Sequence, residues 1–152
     1  MELLVFQLDG ARYALALDAV REVVRAVAVT PLPGAPDVVH GVIDVRGSVV
    51  PVFDLRARLG TTPREIDPDD QFVLANAGAR VVALQVDRVE WMAEVDVTAV
   101  SADVARDTPH IAGVARLADG LVLIHDLETF LSESEVVALD DAMRAAGAGG
   151  AT

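Results

Sequence analysis

The chain has no cysteine and no lysine, and its 152 residues include one tryptophan, one tyrosine and four phenylalanines. Without cysteine there are no disulfides, no thiolate nucleophile and no Cys-ligated metal. Without lysine every basic residue is an arginine, and the 12 arginines are outnumbered by 24 carboxylates, for a formal net charge of −12. Phosphate binding needs a clustered positive field, and none is visible, which disfavours nucleic acid and anionic membrane as partners. Long hydrophobic runs are missing too: none approaches the ~20 residues that a membrane-spanning helix needs. The N-terminal MELLVFQLDG lacks the basic segment and cleavage site of a signal peptide, so a soluble protein in the cytoplasm is expected. Yet 53% of the residues are apolar and the mean hydropathy is +0.41. That surplus must be buried in a core or held against a partner.

Catalytic signatures are also lacking. No Walker loop, G-x-G-x-x-G or G-x-S-x-G occurs. The three histidines, His40, His110 and His125, have no ligand spacing for zinc. Asp67, Asp69 and Asp70 lack the glycine and terminal glutamate of a calcium loop and read as part of a solvated acidic linker, 61–70. A small hydrolase would have to pair His125 with Asp126 and a serine such as Ser48. Adjacent strand residues point to opposite faces, so His125 reads more simply as a strand-end histidine beside a helix cap. No catalytic residue, cofactor or metal is expected, and a binding module is favoured over an enzyme.

What is present is a set of short apolar runs separated by turn signals. The stretch from Gly41 to Gly60, GVIDVRGSVVPVFDLRARLG, reads as strand, turn at Arg46-Gly47-Ser48, strand and short helix. Asp54 is placed to cap that helix and Gly60 to end it. Asp44 and Arg46, two apart, would share one strand face. Leu3 to Leu8 and Tyr13 to Leu17 are strands joined across Asp9-Gly10. Asp18 caps a helical turn through Arg21, and Val23 to Val29 reads as a strand. Proline and glycine make 30–36 a loop, after which Pro36 opens a single turn over 37–39. Strands follow at 72–75, 80–86 and 89–95, then a loop at 103–109 and a hairpin of 111–117 with 121–125. Asp126 caps a short helix to Leu131. Ser132 and Glu135 form a capping box before a helix over 133–146 that ends at Gly147.

The runs repeat. Gly10-Ala11-Arg12 precedes an apolar strand and Asp18; Gly78-Ala79-Arg80 precedes an apolar strand and Asp87. Gly41-Val42 opens a hairpin that ends in Asp54-Leu55 with Leu59 beyond. Gly113-Val114 opens one of equal length that ends in Asp126-Leu127 with Leu131 beyond. Two similar halves of about five short strands each suit small closed barrels filled by Val, Leu and Ala.

The order LLVFQLDGARYALAL, Val20-Arg21-Glu22-Val23, a proline-rich loop, Gly41-Val42-Ile43-Asp44-Val45-Arg46-Gly47 and Val50-Pro51-Val52-Phe53-Asp54-Leu55-Arg56 resembles the CheW family of chemotaxis coupling proteins. The likeness runs from Leu3 to about Leu139. It implies a mainly β fold: two SH3-like five-stranded barrel halves sharing a hydrophobic interface, short helices and a C-terminal helix. The expected division is 1–131 for the CheW-like domain, with halves roughly 10–65 and 66–131 and the first strand open to sharing between them, then 132–152 for the helix and a mobile tail. It also implies a non-enzymatic adaptor linking the cytoplasmic tips of methyl-accepting chemoreceptors to the regulatory domain of a CheA-type histidine kinase. A stand-alone decoy, or an adaptor in a non-flagellar pathway, fits the same fold. By the resemblance, Glu22 and Arg46 form an ion pair near the receptor-binding surface, and Val20, Gly41, Val42 and Gly47 surround that groove. Core packing accounts equally well for Val20 and Val42. Asp44 and Val45 stand where the family commonly has Asn and Leu, and Asp44 is placed to draw Arg46 away from Glu22.

Overall fold

The structure, a computed structural model, describes residues 1–59, 65–95, 100–101, 110–118 and 120–147. Expectations on Gly60, Asp119, 61–64, 103–109 and the last five residues fall outside these. The strands are β1 (Glu2–Leu8), β2 (Ala11–Ala16), β3 (Val20–Arg25), β4 (Val39–Val45), β5 (Ser48–Phe53), β6 (Gln71–Ala77), β7 (Arg80–Val86), β8 (Arg88–Glu94), β9 (Val100–Ser101), β10 (Ile111–Leu117) and β11 (Gly120–His125). The helices are α1 (Leu55–Leu59) and α2 (Glu133–Ala145). Among the described residues no helix is long and apolar enough to cross a membrane.

One sheet has six strands in the order β8-β1-β2-β11-β10-β9, the other five in the order β3-β6-β7-β5-β4. Without the two-residue β9, the orders superimpose: β8 on β3, β1 on β6, β2 on β7, β11 on β5, β10 on β4. Each has one parallel pair at the same place, β11 with β2 and β5 with β7. Each second hairpin shifts register just before its glycine, at Val39/Gly41 and at Ile111/Gly113. The sequence repeat is therefore a structural repeat. The sheets do not, however, follow the division at residue 65. Each joins the first hairpin of one repeat to the single strand and second hairpin of the other: β6 and β7 complete the sheet of β3, β4 and β5, while β1 and β2 complete that of β8, β10 and β11.

Three apolar clusters bury much of the apolar surplus of the described residues. Ile43, Val50, Val52, Phe72, Leu74 and Ala83 fill the concave side of the five-stranded sheet. Leu3, Val5, Ala14, Ala115, Val122 and Ile124 fill that of the other. The largest cluster lies between the sheets: Leu4, Phe6, Leu8, Val73, Ala75, Val82, Leu84 and Val86 from the opposite strand faces, with Phe53, Phe130, Leu139 and Met143. Alternate residues of β1, β6 and β7 thus enter different cores, which is why those strands read as unbroken apolar runs.

Several local expectations shift. The turn at Leu17–Ala19 is 3₁₀ and has no side-chain cap, so Asp18 does not serve as one, and Val20 and Arg21 already belong to β3. Beyond Arg25 the chain leaves β6: Ala26 N–H donates to Asp70 C=O at 3.0 Å, and Thr30 forms a bridge to Val42. Residues 37–39 form no helix; Val39 N–H closes a turn on Pro36 C=O and starts β4. Asp126 caps a 3₁₀ turn, Leu127–Thr129, in place of the expected helix. The Ser132–Glu135 capping box is formed, α2 stops at Ala145, and Gly147 takes φ 74°. Asp70 is buried, not solvated: its Oδ2 accepts from Gln85 Nε2 at 2.7 Å and from Asp67 N–H at 2.8 Å.

A buried arginine joins the two barrels. The Arg56 side chain on α1 is 0% exposed. Its Nε and Nη2 donate to Asp9 Oδ1 at 3.3 and 3.2 Å, its Nη1 donates to Gln85 Oε1 at 3.1 Å, and its Nη2 also meets Asp87 Oδ1. Asp9 lies in the β1–β2 turn of one sheet, Gln85 on β7 of the other. Asp87 is the single residue between β7 and β8, where the chain passes from sheet to sheet. Asp9 N–H closes the ring by donating to Asp87 Oδ2 at 2.8 Å.

Candidate functional site

The site begins with a tight turn. Val45 pairs with Ser48, leaving a two-residue loop in which Arg46 has φ 49° and Gly47 φ 88°. Two successive positive φ values match the right-handed twist of the flanking strands, and glycine takes the second at little steric cost. Asp44 secures the loop: its Oδ1 accepts from Gly47 N–H at 2.8 Å. The left-handed backbone at Arg46 cancels the simple alternation that placed it on the face of Asp44. Asp44 therefore does not compete for the arginine.

Arg46 instead reaches β3. Its Nη1 donates to Glu22 Oε1 at 3.2 Å and its Nη2 to Glu22 Oε2, a two-pronged ion pair. β3 and β4 are the two edge strands of the five-stranded sheet, so this pair, with the Thr30–Val42 bridge, spans the line where the sheet curls to meet itself. The Arg46 side chain is 73% exposed and that of Glu22 34%. The hydrogen bond from Arg46 holds the Glu22 carboxyl below its ordinary range, and the same bond raises Arg46. Both are charged at neutral pH. Below them opens a cleft of about 300 Å³ with Val45, Val50, Leu74 and Val81 in its walls. Arg21 and Ser48 also line it, and neither is signalled by a motif.

The other expected site residues divide. Val20 and Val42 are half-buried and pack against the inter-sheet core. Gly41 is buried, and a Cβ there would stand 2.2 Å from Thr30 O and 2.8 Å from Val29 Cγ1. Its lack of a side chain is set by the bridge to Thr30, whatever the surface binds. Gly47 has open space around it and is needed for its backbone angle. Glu22, Asp44, Arg46 and Gly47 are thus brought together, while Val20 and Val42 pack toward the inter-sheet core and Gly41 lies against Thr30; none of the three lines the cleft.

His125 does not build a catalytic arrangement. It is 3% exposed, neither ring nitrogen has a hydrogen-bond partner, and its ring packs 5.7 Å from that of Phe130. Burial, with His110 nearby, lowers its pKa to about 4. Asp126 spends its Oδ1 on Glu128 N–H, and Ser48 lies in the other sheet. Among the described residues no group of three or more His, Asp or Glu side chains is arranged to hold a metal.

A family model described as CheW-like domain matches residues 2–135. The chemotaxis protein CheW of Klebsiella aerogenes is 29% identical over 149 residues, covering 92% of this chain and 87% of that protein. CheW of Rhizobium meliloti is 37% identical over 111 residues, covering 73% and 68%. FrzA of Myxococcus xanthus is 33% identical over 88 residues, covering 58% and 55%. Among solved structures, the scaffolding protein TtCheW from Thermoanaerobacter tengcongensis aligns with a TM-score of 0.75 and 29% identity, covering 82% of this chain and 87% of that one.

Proposed function

The chain belongs to the CheW-like domain family, and on that footing we propose that it is a non-enzymatic coupling adaptor of chemotaxis-type signalling. It joins the cytoplasmic tips of chemoreceptors to the regulatory domain of a CheA-type histidine kinase, and it works in the cytoplasm. The observation that carries this reading is the family match over residues 2–135; the surface ion pair of Glu22 and Arg46, beside a cleft walled in part by Val45, Val50, Leu74 and Val81, supports it. Apolar walls supply affinity for a receptor helix, and one fixed charge pair supplies register.

Glu22, Asp44, Arg46 and Gly47 present the receptor-binding surface, and Val20, Gly41 and Val42 hold it in shape. Reconstitution tests the reading. Receptor-bearing membranes, the kinase and this protein together should raise autophosphorylation above that of receptor and kinase alone. Binding without activation would make the protein a decoy; absence of binding to both partners would remove the adaptor role.

A further inference from the structure

We propose that Arg56 is a positioning residue that sets the angle between the two barrels. The core between the sheets is apolar, with Leu4, Phe6, Val73 and Leu84 among its members, and apolar contact is non-directional. It holds the barrels together with little preference among small rotations. Arg56 adds direction. A guanidinium is a rigid planar fork, and here all three of its nitrogens are engaged by groups from different elements: Asp9 from one barrel, Gln85 from the other, Asp87 from the joint between them. A rotation of one barrel on the other stretches these bonds, and the guanidinium, 0% exposed, has no solvent contact to replace them, although Asp9 and Asp87 keep part of their carboxylates in solvent.

The internal repeat supplies a comparison within the molecule. The repeat that aligns Asp54-Leu55 with Asp126-Leu127 aligns Arg56 with Glu128. Glu128 is exposed. On that side the β6–β7 turn and the 3₁₀ turn are separated by an open cleft of about 540 Å³, lined by Gly78, Ala79, Arg80, Leu127, Glu128 and Val136. One side of the near-symmetric interface is therefore clamped by a buried arginine, while the other holds an open cleft where Arg80 pairs outward with Asp140 on α2. An adaptor that holds one partner on each barrel delivers them at a set angle only if such a clamp exists. That consequence rests on the proposed function; the clamp itself does not.

The lack of cysteine makes the test direct, since two introduced cysteines are the only labelling sites. Val49→Cys and Leu121→Cys put spin labels at exposed positions, one on each barrel. Pulsed electron resonance then reads the distance distribution in the doubly labelled protein and in the same protein carrying Arg56→Met or Arg56→Lys. Methionine fills the volume without the fork; lysine keeps the charge without it. The expected result is a native near-ultraviolet circular dichroism spectrum with a distribution shifted or broadened beyond that of the parent in both variants. An unchanged distribution in a folded variant overturns the proposal. Loss of fold in both also overturns it, because Arg56 would then serve folding and not the angle. The measurement needs no partner, so failure of the adaptor reading would leave it intact.

Discussion

Arg46 faces Glu22 across the line where the edge strands of the five-stranded sheet meet, and the two exchange a two-pronged ion pair in full view of solvent. A closed barrel has no need of a charge pair there; the Thr30–Val42 bridge already ties the edges together. Arg46→Ala is expected to weaken binding of a receptor-tip fragment about tenfold while the Tm stays within about 2 °C, as for other surface changes. The exchanged pair Glu22→Arg with Arg46→Glu should recover part of the loss if the pair acts as a unit. Titration at two salt concentrations measures both; unchanged affinity for Arg46→Ala removes the pair from the site.

Gly41→Ala should behave in the opposite way. Its new Cβ would lie 2.2 Å from Thr30 O, so the bridge must open. A loss of at least about 2 kcal/mol in denaturant unfolding is expected, in the range for overpacking. Gly47→Ala has room and meets only the left-handed backbone penalty of about 1 kcal/mol. Equal losses at the two positions would contradict the bridge as the reason for Gly41.

His125 gives a pH dependence with a defined sign. Its folded pKa of about 4 lies below its ordinary 6.5, so the unfolded chain binds the extra proton between those values. Stability from this site is complete above pH 6.5 and declines as pH falls toward 4, by up to about 3 kcal/mol. His125→Leu should flatten that window. Glu135, held to about 2 first by its hydrogen bond from Arg58, acts in the window below, from 4.5 downward. Glu135→Gln should leave the His125 window unchanged. Unfolding curves from pH 7 to 3 separate the two.

The exchange of hairpins predicts the behaviour of a cut chain. A break between Leu59 and Glu65 leaves β1 to β5 on one fragment and β6 to β11 on the other, and each sheet draws strands from both. Neither fragment is expected to fold alone. Mixing the two should restore the sheet signal in circular dichroism and give a one-to-one complex on gel filtration. Independent folding of either piece would refute the pairing.

Local chemistry was legible and long-range pairing was not. Asp9-Gly10 announced its hairpin, and Ser132 with Glu135 announced a helix start, because each signal lies within a few residues. The equal spans from Gly41 to Asp54 and from Gly113 to Asp126 revealed that the chain repeats. Similarity does not say which copy pairs with which, so the exchange between β1–β2 and β6–β7 stayed hidden. The end of β3 at Arg25 was hidden for a like reason: residues 26–29 have strand composition, but Asp70 and Val42 draw that segment away from β6. Nothing local in the sequence marked Arg56 as buried. Its burial depends on Asp9 and Asp87, which are remote in sequence and meet only once both sheets exist. The reach of Arg46 to Glu22 was implied by the family resemblance, whereas the turn-capping role of Asp44 needed the backbone angles.

The exchanged hairpins also set an order of events during synthesis. The five-stranded barrel is complete once β7 has been made, at Val86. The hairpin of β1 and β2, the first to leave the ribosome, pairs with β8 and β11, and β11 ends at His125. The edge of β1 gains β8 only at Glu94, and the edge of β2 waits for β11. The nascent protein thus passes through a stage with one finished barrel and one waiting hairpin, and that hairpin is the segment through which two half-made chains would capture each other.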